Sequence, residues 1–330
     1  MTEAPPTRPR NWSVRLIQLT LTTLAIGLVA YLVDWAAFIE TLRRIEPVVL
    51  ALVYGLFVAD RVLMAYKWSL LLKVHAIRLA LWQSWSVYSF ASLAGTVLPS
   101  TVGADALRVT WLWRGGIQVS PAAASVLLER AIGLAVSLSL AVIALAFLMT
   151  RFGPANEVVS LMWLAVVALG LLLLAFAFPF WTGFGAMLAR QRKGRLRVVL
   201  LERLRRFYEA CLRYRAAPGT VIAFTCLTVA ENLLTFVMSY VLARALGIEV
   251  GVLYFCAALA VALALARLPL TVDGLGVLEG VLLFLLALRG VMPADAVALA
   301  LIGRCLNIAA YLPGALVALT STDIRSQGLR

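Results

Sequence analysis

Charged side chains interrupt the apolar stretches of this sequence, and these residues are the first candidates for chemistry. An unpaired charge near the middle of a bilayer costs about 2.5–3.5 kcal/mol on insertion scales. Several unpaired charges would therefore exceed the net stability of a folded chain, about 5–15 kcal/mol. Basic and acidic residues are equally numerous here, so we predict that they pair with one another or face water. They are Arg61, Lys67, Arg108, Arg130, Arg267, Arg304, Asp60, Asp105, Glu129, Glu231, Asp273 and Glu279.

Arginines around two interruptions of the apolar pattern are predicted to bind a substrate. A guanidinium group keeps its proton and can donate two parallel hydrogen bonds to a phosphate or a carboxylate. It is therefore suited to hold an anionic headgroup at membrane depth. The predicted anion-binding residues are Arg108, Arg130, Arg267 and Arg304.

The acidic residues and the lysine admit more than one interpretation. Asp105, Glu129 and Glu279 either orient those arginines or bind a cationic part of the substrate, so they are also substrate-binding candidates. Asp273 lies beside glycines and is typical of a turn. Lys67 either extends toward the cytoplasmic headgroups or joins an ion pair. The ion-pair candidates that would hold the helices together are Asp60, Arg61, Lys67 and Glu231.

The sequence contains few residues that could support other kinds of catalysis. His75 is the single histidine, and the four cysteines show no paired spacing. No nucleophile elbow, phosphate-binding loop or HExxH pattern occurs. We therefore expect no metal, no cofactor and no disulfide, and a transporter-like protein rather than an enzyme. A membrane enzyme acting on a lipid phosphate, with Asp105 or Glu129 as the base, is the alternative interpretation of the same charges.

The composition predicts an all-α polytopic membrane protein. Of the 330 residues, 63% are hydrophobic, and the mean hydropathy is +0.97, whereas soluble domains are about 45–50% apolar. The longest polar interval, Arg190–Arg215, is too short to form a soluble domain with its own core. We therefore predict a single transmembrane domain over residues 1–330.

Apolar runs long enough to cross a bilayer predict about six full transmembrane helices. The first run follows several arginines and has no clear cleavage site after it, so an uncleaved helix is favoured over a signal peptide. The predicted spans are Leu16–Val33, Pro47–Leu72, Pro121–Met149, Glu157–Trp181, Pro218–Gly247 and Pro293–Leu319.

Two further apolar segments are predicted to be re-entrant pairs of broken helices. Trp82–Leu98 is followed by Asp105–Arg114, which would rise only about 15 Å against a hydrocarbon core of about 30 Å. Val250–Leu268 and Leu275–Leu288 form the second pair. Proline and glycine allow the backbone to turn at each break. The helix-break residues are Pro99, Gly103, Pro269, Gly274 and Gly276.

The two halves of the chain resemble one another at a nearly constant offset. Asp60 corresponds to Glu231 at an offset of 171, LPSTVGADAL corresponds to LPLTVDGLGV at 170, and Arg130 corresponds to Arg304 at 174. One further span separates the units, so the second unit would enter the membrane from the opposite face. Such an inverted repeat is typical of alternating-access transporters with a midplane site. The predicted units cover about 47–150 and about 218–320.

The distribution of basic residues predicts the orientation in the cytoplasmic (inner) membrane. Lys and Arg outside the spans fall mostly in segments on one side, and ten of the 29 lie in Arg190–Arg215. The positive-inside bias then places both termini in the cytoplasm. Within that interval, apolar residues at helical spacing predict an amphipathic helix on the anionic cytoplasmic leaflet. Nucleic acid is not an expected partner, because no aromatic stacking platform accompanies the basic run.

The motifs at the two breaks resemble the lysylphosphatidylglycerol synthase transmembrane-domain family, also called the flippase-like domain family. LPSTVGADALRV followed by PAAASVLLERAIGL carries the first resemblance, and LPLTVDGLGVLEG carries the second. Ala104 and Leu278 depart from the usual pattern. The matching residues are Leu98, Pro99, Gly103, Asp105, Arg108, Glu129, Arg130, Pro269, Gly274, Gly276 and Glu279.

This resemblance implies a lipid translocase, or flippase, acting on an anionic or phosphate-bearing lipid. The substrate would be a phospholipid, a polyprenyl-phosphate-linked lipid or a hopanoid-type lipid. The sequence shows no counterpart of the aminoacyl-transferase domain of two-domain members, so we expect no lipid lysylation. The alternative is a non-catalytic membrane partner of a glycolipid, hopanoid or polyprenyl-phosphate pathway enzyme. A lipid-pathway enzyme or a second copy of the chain is the possible protein partner.

Overall fold

The computed structural model describes Arg43 and residues 45–97, 101–153, 156–177, 195–267 and 276–320. These residues form ten α-helices and no β-strand, which confirms the all-α class. In chain order the helices are α1 Pro47–Lys73, α2 Leu81–Val97, α3 Thr101–Arg114, α4 Val119–Phe152, α5 Asn156–Ala177, α6 Arg195–Arg213, α7 Pro218–Ala245, α8 Val252–Ala266, α9 Val277–Ala287 and α10 Pro293–Thr320.

Four of the described helices are long and apolar enough to cross a membrane, namely α1, α4, α7 and α10. They are the first and last helices of the two predicted units. α1 and α7 begin with a proline, which costs nothing where no intrahelical N–H bond is needed. The predicted span Leu16–Val33 lies outside the described residues. α5 has 22 residues, and the predicted span Glu157–Trp181 continues past its end, outside the described residues. The total of six spans therefore stays a prediction.

The two broken pairs correspond to α2 with α3 and to α8 with α9. Their lengths are 17, 14, 15 and 11 residues, so none exceeds about 26 Å against a hydrocarbon core of about 30 Å. Pro99, Pro269 and Gly274 lie outside the described residues, and whether the pairs are re-entrant stays a prediction. Gly276 precedes α9 with φ +81°, a left-handed conformation that favours glycine.

The sequence had predicted that Gly103 lies in the break, but the structure places it in a helix. It lies in the first turn of α3, which begins at Thr101 rather than at Asp105. The physical reason is that glycine is tolerated in the first turn of a helix, where the backbone N–H groups have no intrahelical partner to lose.

The packing of the helices repeats between the two units. α2 packs on α10, α4 packs on α8, and α1 packs on α7, and these are the largest interfaces between the units. Exchanging α1 with α7, α2 with α8, α3 with α9 and α4 with α10 leaves this set of interfaces unchanged. The packing therefore has the pattern of an approximate two-fold relation. Opposite orientation of the units in the membrane stays a prediction.

The basic helix α6 packs against protein on part of its apolar face. Phe207, Ala210 and Cys211 belong to a small apolar cluster with residues of α1, α4 and α7. Tyr214, which follows α6, donates a hydrogen bond to the carbonyl of Leu71 at 3.2 Å. Leu204, by contrast, is exposed. The expectation that the whole apolar face rests on the leaflet is thus corrected for this part of the helix, because the ends of the bundle cover it.

A glycine allows α2 and α10 to approach closely. A Cβ atom added at Gly314 would lie 2.7 Å from the Cβ of Ser89 and 3.1 Å from the ring of Trp85. Both neighbours belong to α2, and Ser89 is fully buried. Close approach through small residues is a common way to pack helices in membranes.

We expect Gly314→Ala to lower the thermal unfolding midpoint of the purified protein, because the added methyl group forces α2 and α10 apart. Gly170→Ala is the matched control, since a Cβ there meets nothing within 4 Å. The control should keep or raise the midpoint, because alanine is favoured over glycine in a helix by about 1 kcal/mol. Equal midpoints for the two variants would contradict the close packing.

Candidate functional site

A cavity of about 430 Å³ lies between the two units. Its wall comes from α1, α2 and α4 of the first unit and from α7, α8, α9 and α10 of the second. Most of the lining is apolar, but it includes five basic and two acidic side chains. They are Arg61, Lys67, Arg130, Arg267, Arg304, Glu129 and Glu231. The structure thus brings charges from both halves of the sequence to one place, with an excess of positive charge.

In the first unit, Arg130 is held by a carboxylate on the half-length helix α3. Its Nε and Nη2 donate to Oδ2 and Oδ1 of Asp105, both at 2.9 Å. This two-point contact fixes the plane of the guanidinium group. The Arg130 side chain nevertheless keeps 51% of its surface exposed, whereas Asp105 keeps 17%. Arg130 is therefore oriented from behind and accessible from the cavity.

The second unit contains an equivalent bridge. Arg304 on α10 donates from Nε to Oε1 of Glu279 on α9 at 2.9 Å, and its Nη2 lies 2.7 Å from the same oxygen. The other oxygen of Glu279 accepts the backbone N–H of Gly276 at 2.8 Å, which caps α9. In each unit the carboxylate precedes the arginine by 25 residues. The offset of 174 that relates the arginines therefore also relates Asp105 to Glu279.

Arg108 lies behind the cavity wall rather than on it. It donates to Asp105 and to Glu129, both at 2.7 Å, and its side chain is 2% exposed. Its guanidinium carbon lies 5.3 Å from the ring centre of Trp68 and 4.6 Å from that of Tyr88. The sequence had predicted direct substrate binding, but in this structure the charge of Arg108 is already matched and covered. Its observable role is to position Asp105 and Glu129.

A second charge network lies around Glu231 of α7. Lys67 of α1 forms an ion pair with this carboxylate and donates to Thr228 at 3.1 Å. Arg267, after α8, approaches Glu231 at 3.6 Å and donates to the carbonyl of Gly133 at 2.7 Å. Lys67 does not extend toward headgroups, because the buried carboxylate in the neighbouring helix offers a nearer partner. Glu231 therefore joins α1, α7 and α8.

The third pair consists of neighbouring residues on α1. Asp60 is fully buried and pairs with Arg61, which also donates to the hydroxyl of Tyr311 on α10 at 2.7 Å. Arg61 reaches the cavity, whereas Asp60 does not line it. The four residues predicted to form ion pairs do so, but the Asp60–Arg61 pair lies within α1, and only the Lys67–Glu231 pair joins two helices. Each of these two pairs contributes its basic group to the cavity.

The predicted site residues thus separate into two layers. Glu129, Arg130, Arg267 and Arg304 line the cavity, while Asp105, Arg108 and Glu279 contact them from behind. Asp273 lies outside the described residues. Among the residues that the structure describes, no group of three or more His, Cys, Asp or Glu side chains is placed to hold a metal ion.

Tyr88 and Asn307 line the cavity although the sequence had not singled them out as site residues. The Tyr88 hydroxyl donates to Glu129 at 3.0 Å, so it completes the support of the first unit's charges. Oδ1 of Asn307 is buried without a hydrogen-bond partner among the described residues. Asn307 follows Arg304 by three residues and therefore lies on the same helix face. This spacing could have identified Asn307 as a site residue from the sequence.

We expect Glu129→Ala to destabilise the protein by about 3–5 kcal/mol, since it leaves Arg108 buried with one partner fewer. The double variant Arg108→Met/Glu129→Ala should recover most of that loss, because it removes both charges. Unfolding in mixed micelles would measure both. Glu202→Ala is the control, since its exposed pair with Arg206 at 3.2 Å should cost less than about 1 kcal/mol. A double variant as unstable as the single one would contradict the role given to Arg108.

Comparison with known sequences identifies the same family that the sequence motifs resemble. A family model described as the lysylphosphatidylglycerol synthase TM region matches residues 15–314, which include both broken pairs and the charged cavity. No curated protein shows a significant match to the chain. Because the family model covers most of the sequence, the chain belongs to the lysylphosphatidylglycerol synthase transmembrane family and is a membrane protein with transmembrane helices.

Proposed function

We propose that this protein moves an anionic, phosphate-bearing lipid between the leaflets of the cytoplasmic membrane. The observation that carries the proposal is the cavity between the two units, which five basic and two acidic side chains line. Asp60, Asp105 and Glu279 pair with three of the bases from behind the wall, so the basic groups prevail on the side that faces the cavity. An anion is the ligand that such a wall favours. In an otherwise apolar protein of this family, the available anion of suitable size is a lipid headgroup.

The dimensions of the cavity agree with a headgroup rather than a whole lipid. Its volume of about 430 Å³ lies within the usual range of small-molecule sites, about 300–1,000 Å³. Acyl chains would remain in the surrounding bilayer while the phosphate crosses. Arg130 and Arg304 present guanidinium groups from opposite units, and Asn307 offers a polar atom that lacks a partner among the described residues.

The helix packing supports alternating access as the mechanism. The α2–α10 and α4–α8 interfaces are equivalent under exchange of the units. A rocking motion of the units that loosens one of these two interfaces and tightens the other would therefore connect two conformations of similar energy. Proteins with inverted repeats and broken helices expose a midplane site to each side in this way. The two arginine–carboxylate bridges lie within units, so they need not break as one unit moves against the other.

We expect purified protein in vesicles to accelerate the movement of labelled phosphatidylglycerol or labelled polyprenyl phosphate between leaflets. Arg130→Gln and Arg304→Gln should each slow that movement about ten- to a hundredfold, because a charge-assisted hydrogen bond is worth about 1.5–3 kcal/mol. The assay is the loss of fluorescence to a membrane-impermeant quencher over time.

Arg205→Gln is the control for this experiment. Arg205 lies on α6, away from the cavity, and is paired with Glu209 at 2.8 Å. It should leave the transport rate unchanged. If no tested lipid moves faster than in protein-free vesicles, translocation is wrong and the non-catalytic partner of a lipid-pathway enzyme becomes the better account.

We further propose that both termini and α6 face the cytoplasm, on the basis of the positive-inside bias. In a cysteine-free background, Glu202→Cys on α6 should react with an impermeant maleimide in inside-out vesicles only. Met292→Cys, in the segment between α9 and α10, should react in right-side-out vesicles only. Both positions are exposed. Labelling of both from the same side would contradict the proposed orientation.

A further inference from the structure

A second cavity, of about 440 Å³, lies where α6 meets the loop after α1 and the start of α4. It shares no lining residue with the charged cavity between the units. Arg206, Glu209 and Arg213 line it from α6, and Gln118 and Ser120 line it from the start of α4. The loop after α1 contributes His75. This cavity is therefore a separate place at one end of the helix bundle.

His75 is the observation that points to a ligand here. Its side chain lines the second cavity, yet the residue is only 8% exposed. Neither Nδ1 nor Nε2 has a hydrogen-bond partner among the described residues. The ring of Tyr214 packs edge-on against it with the centroids 5.0 Å apart, which supplies no polar partner. A buried polar group without a partner is costly, so natural structures rarely leave one unused.

The surroundings of His75 favour an anion. The first backbone N–H groups of α4 have no intrahelical partner, and Gln118 supplies no side-chain cap. A helix of 34 residues directs the positive end of its dipole at this point. Two of the charged lining residues are paired with residues that do not line the cavity, Arg206 with Glu202 at 3.2 Å and Glu209 with Arg205 at 2.8 Å. Arg213, which forms no ion pair among the described residues, adds a positive charge to the wall.

The protonation of His75 agrees with a hydrogen-bonding role. Burial lowers the pKa of its ring, and the neighbouring Arg213 lowers it further. The ring is then neutral at neutral pH, with one nitrogen that donates and one that accepts. A singly protonated phosphate monoester, whose second pKa is about 6, offers acceptor oxygens to the donating nitrogen and a P–OH group to the accepting one.

We propose that the cavity lined by His75, Ser120, Arg206 and Arg213 binds a phosphate monoester group. The group has two possible sources with the same chemistry, a soluble phosphorylated metabolite or the headgroup of an anionic lipid. The inference does not depend on lipid transport, since it concerns a different cavity. A ligand there would join α6 to the start of α4, which carries Glu129 and Arg130 about 15 Å further along the helix.

The single histidine of the sequence makes a direct test possible. The full-length protein, purified with a tag that contains no histidine, is labelled with ¹⁵N-histidine and placed in phosphatidylcholine nanodiscs. Glycerol 3-phosphate is then titrated while the ring resonances of His75 are recorded. In a second arm, phosphatidic acid replaces part of the phosphatidylcholine and no soluble ligand is added.

We expect a saturable change of the His75 resonances in at least one arm. Arg213→Gln should weaken the apparent affinity about tenfold, as expected for loss of a charge-assisted contact. Arg215→Gln is the matched control, because it removes an equal charge from the turn just after the same helix, and Arg215 is exposed and does not line the cavity. It should leave the affinity unchanged. A variant counts only if its ligand-free resonances match those of the unmodified protein.

The two arms distinguish the source of the phosphate. A response to glycerol 3-phosphate identifies a soluble ligand, whereas a response to phosphatidic acid alone identifies a headgroup. Absence of any response in both arms would overturn the proposal. So would equal weakening by Arg215→Gln and Arg213→Gln, since that result would indicate attraction to the general positive charge around α6. Neither result bears on the transport assay, which probes the other cavity.

Discussion

The bridge between a carboxylate on a half-length helix and an arginine on the following long helix recurs once in each unit. α3 and α9 have only 14 and 11 residues, and each bridge fastens one of these short helices to a long one. Asp105 secures the first through Arg130, and Glu279 secures the second through Arg304. Glu279 lies in the first turn of α9, where negative charge is favoured by the helix dipole, whereas Asp105 lies one turn into α3. The cavity between the units depends on these bridges, because the arginines that line it are oriented by them.

The two units are not equal in charge. The first contains the additional buried pair Arg108–Glu129, whereas the positions offset by 174 are occupied by Leu282 and Gly303. An ion pair and an apolar pair are both acceptable solutions for a buried site, since the desolvation of two charges offsets much of their attraction. The difference makes one wall of the cavity more polar than the other. Arg130 is 51% exposed and Arg304 only 18%, which is consistent with this asymmetry.

Much of the fold was predictable because hydropathy and the repeat are strong signals. The four long helices and the two pairs of shorter helices appear where the apolar pattern placed them, although Gly103 lies in α3 and not in the break. The family was also predictable, because the Pro, Gly, Asp and Arg residues at the first break form a specific pattern. Side-chain partners were less accessible, since the direction of Arg108 depends on the rings of Trp68 and Tyr88, which distant parts of the sequence bring together. Lys67 likewise turns inward only because Glu231 lies across the interface.

The position of Glu231 has a consequence for any relative movement of the helices. This carboxylate has a lysine from α1 on one side and an arginine from the end of α8 on the other. Either contact can lengthen while the other compensates the same negative charge. The helices can therefore shift relative to one another while the Glu231 carboxylate keeps at least one basic partner. A single pair would resist such a shift by the full cost of separating two buried ions, whereas this three-member arrangement exchanges one partner for another.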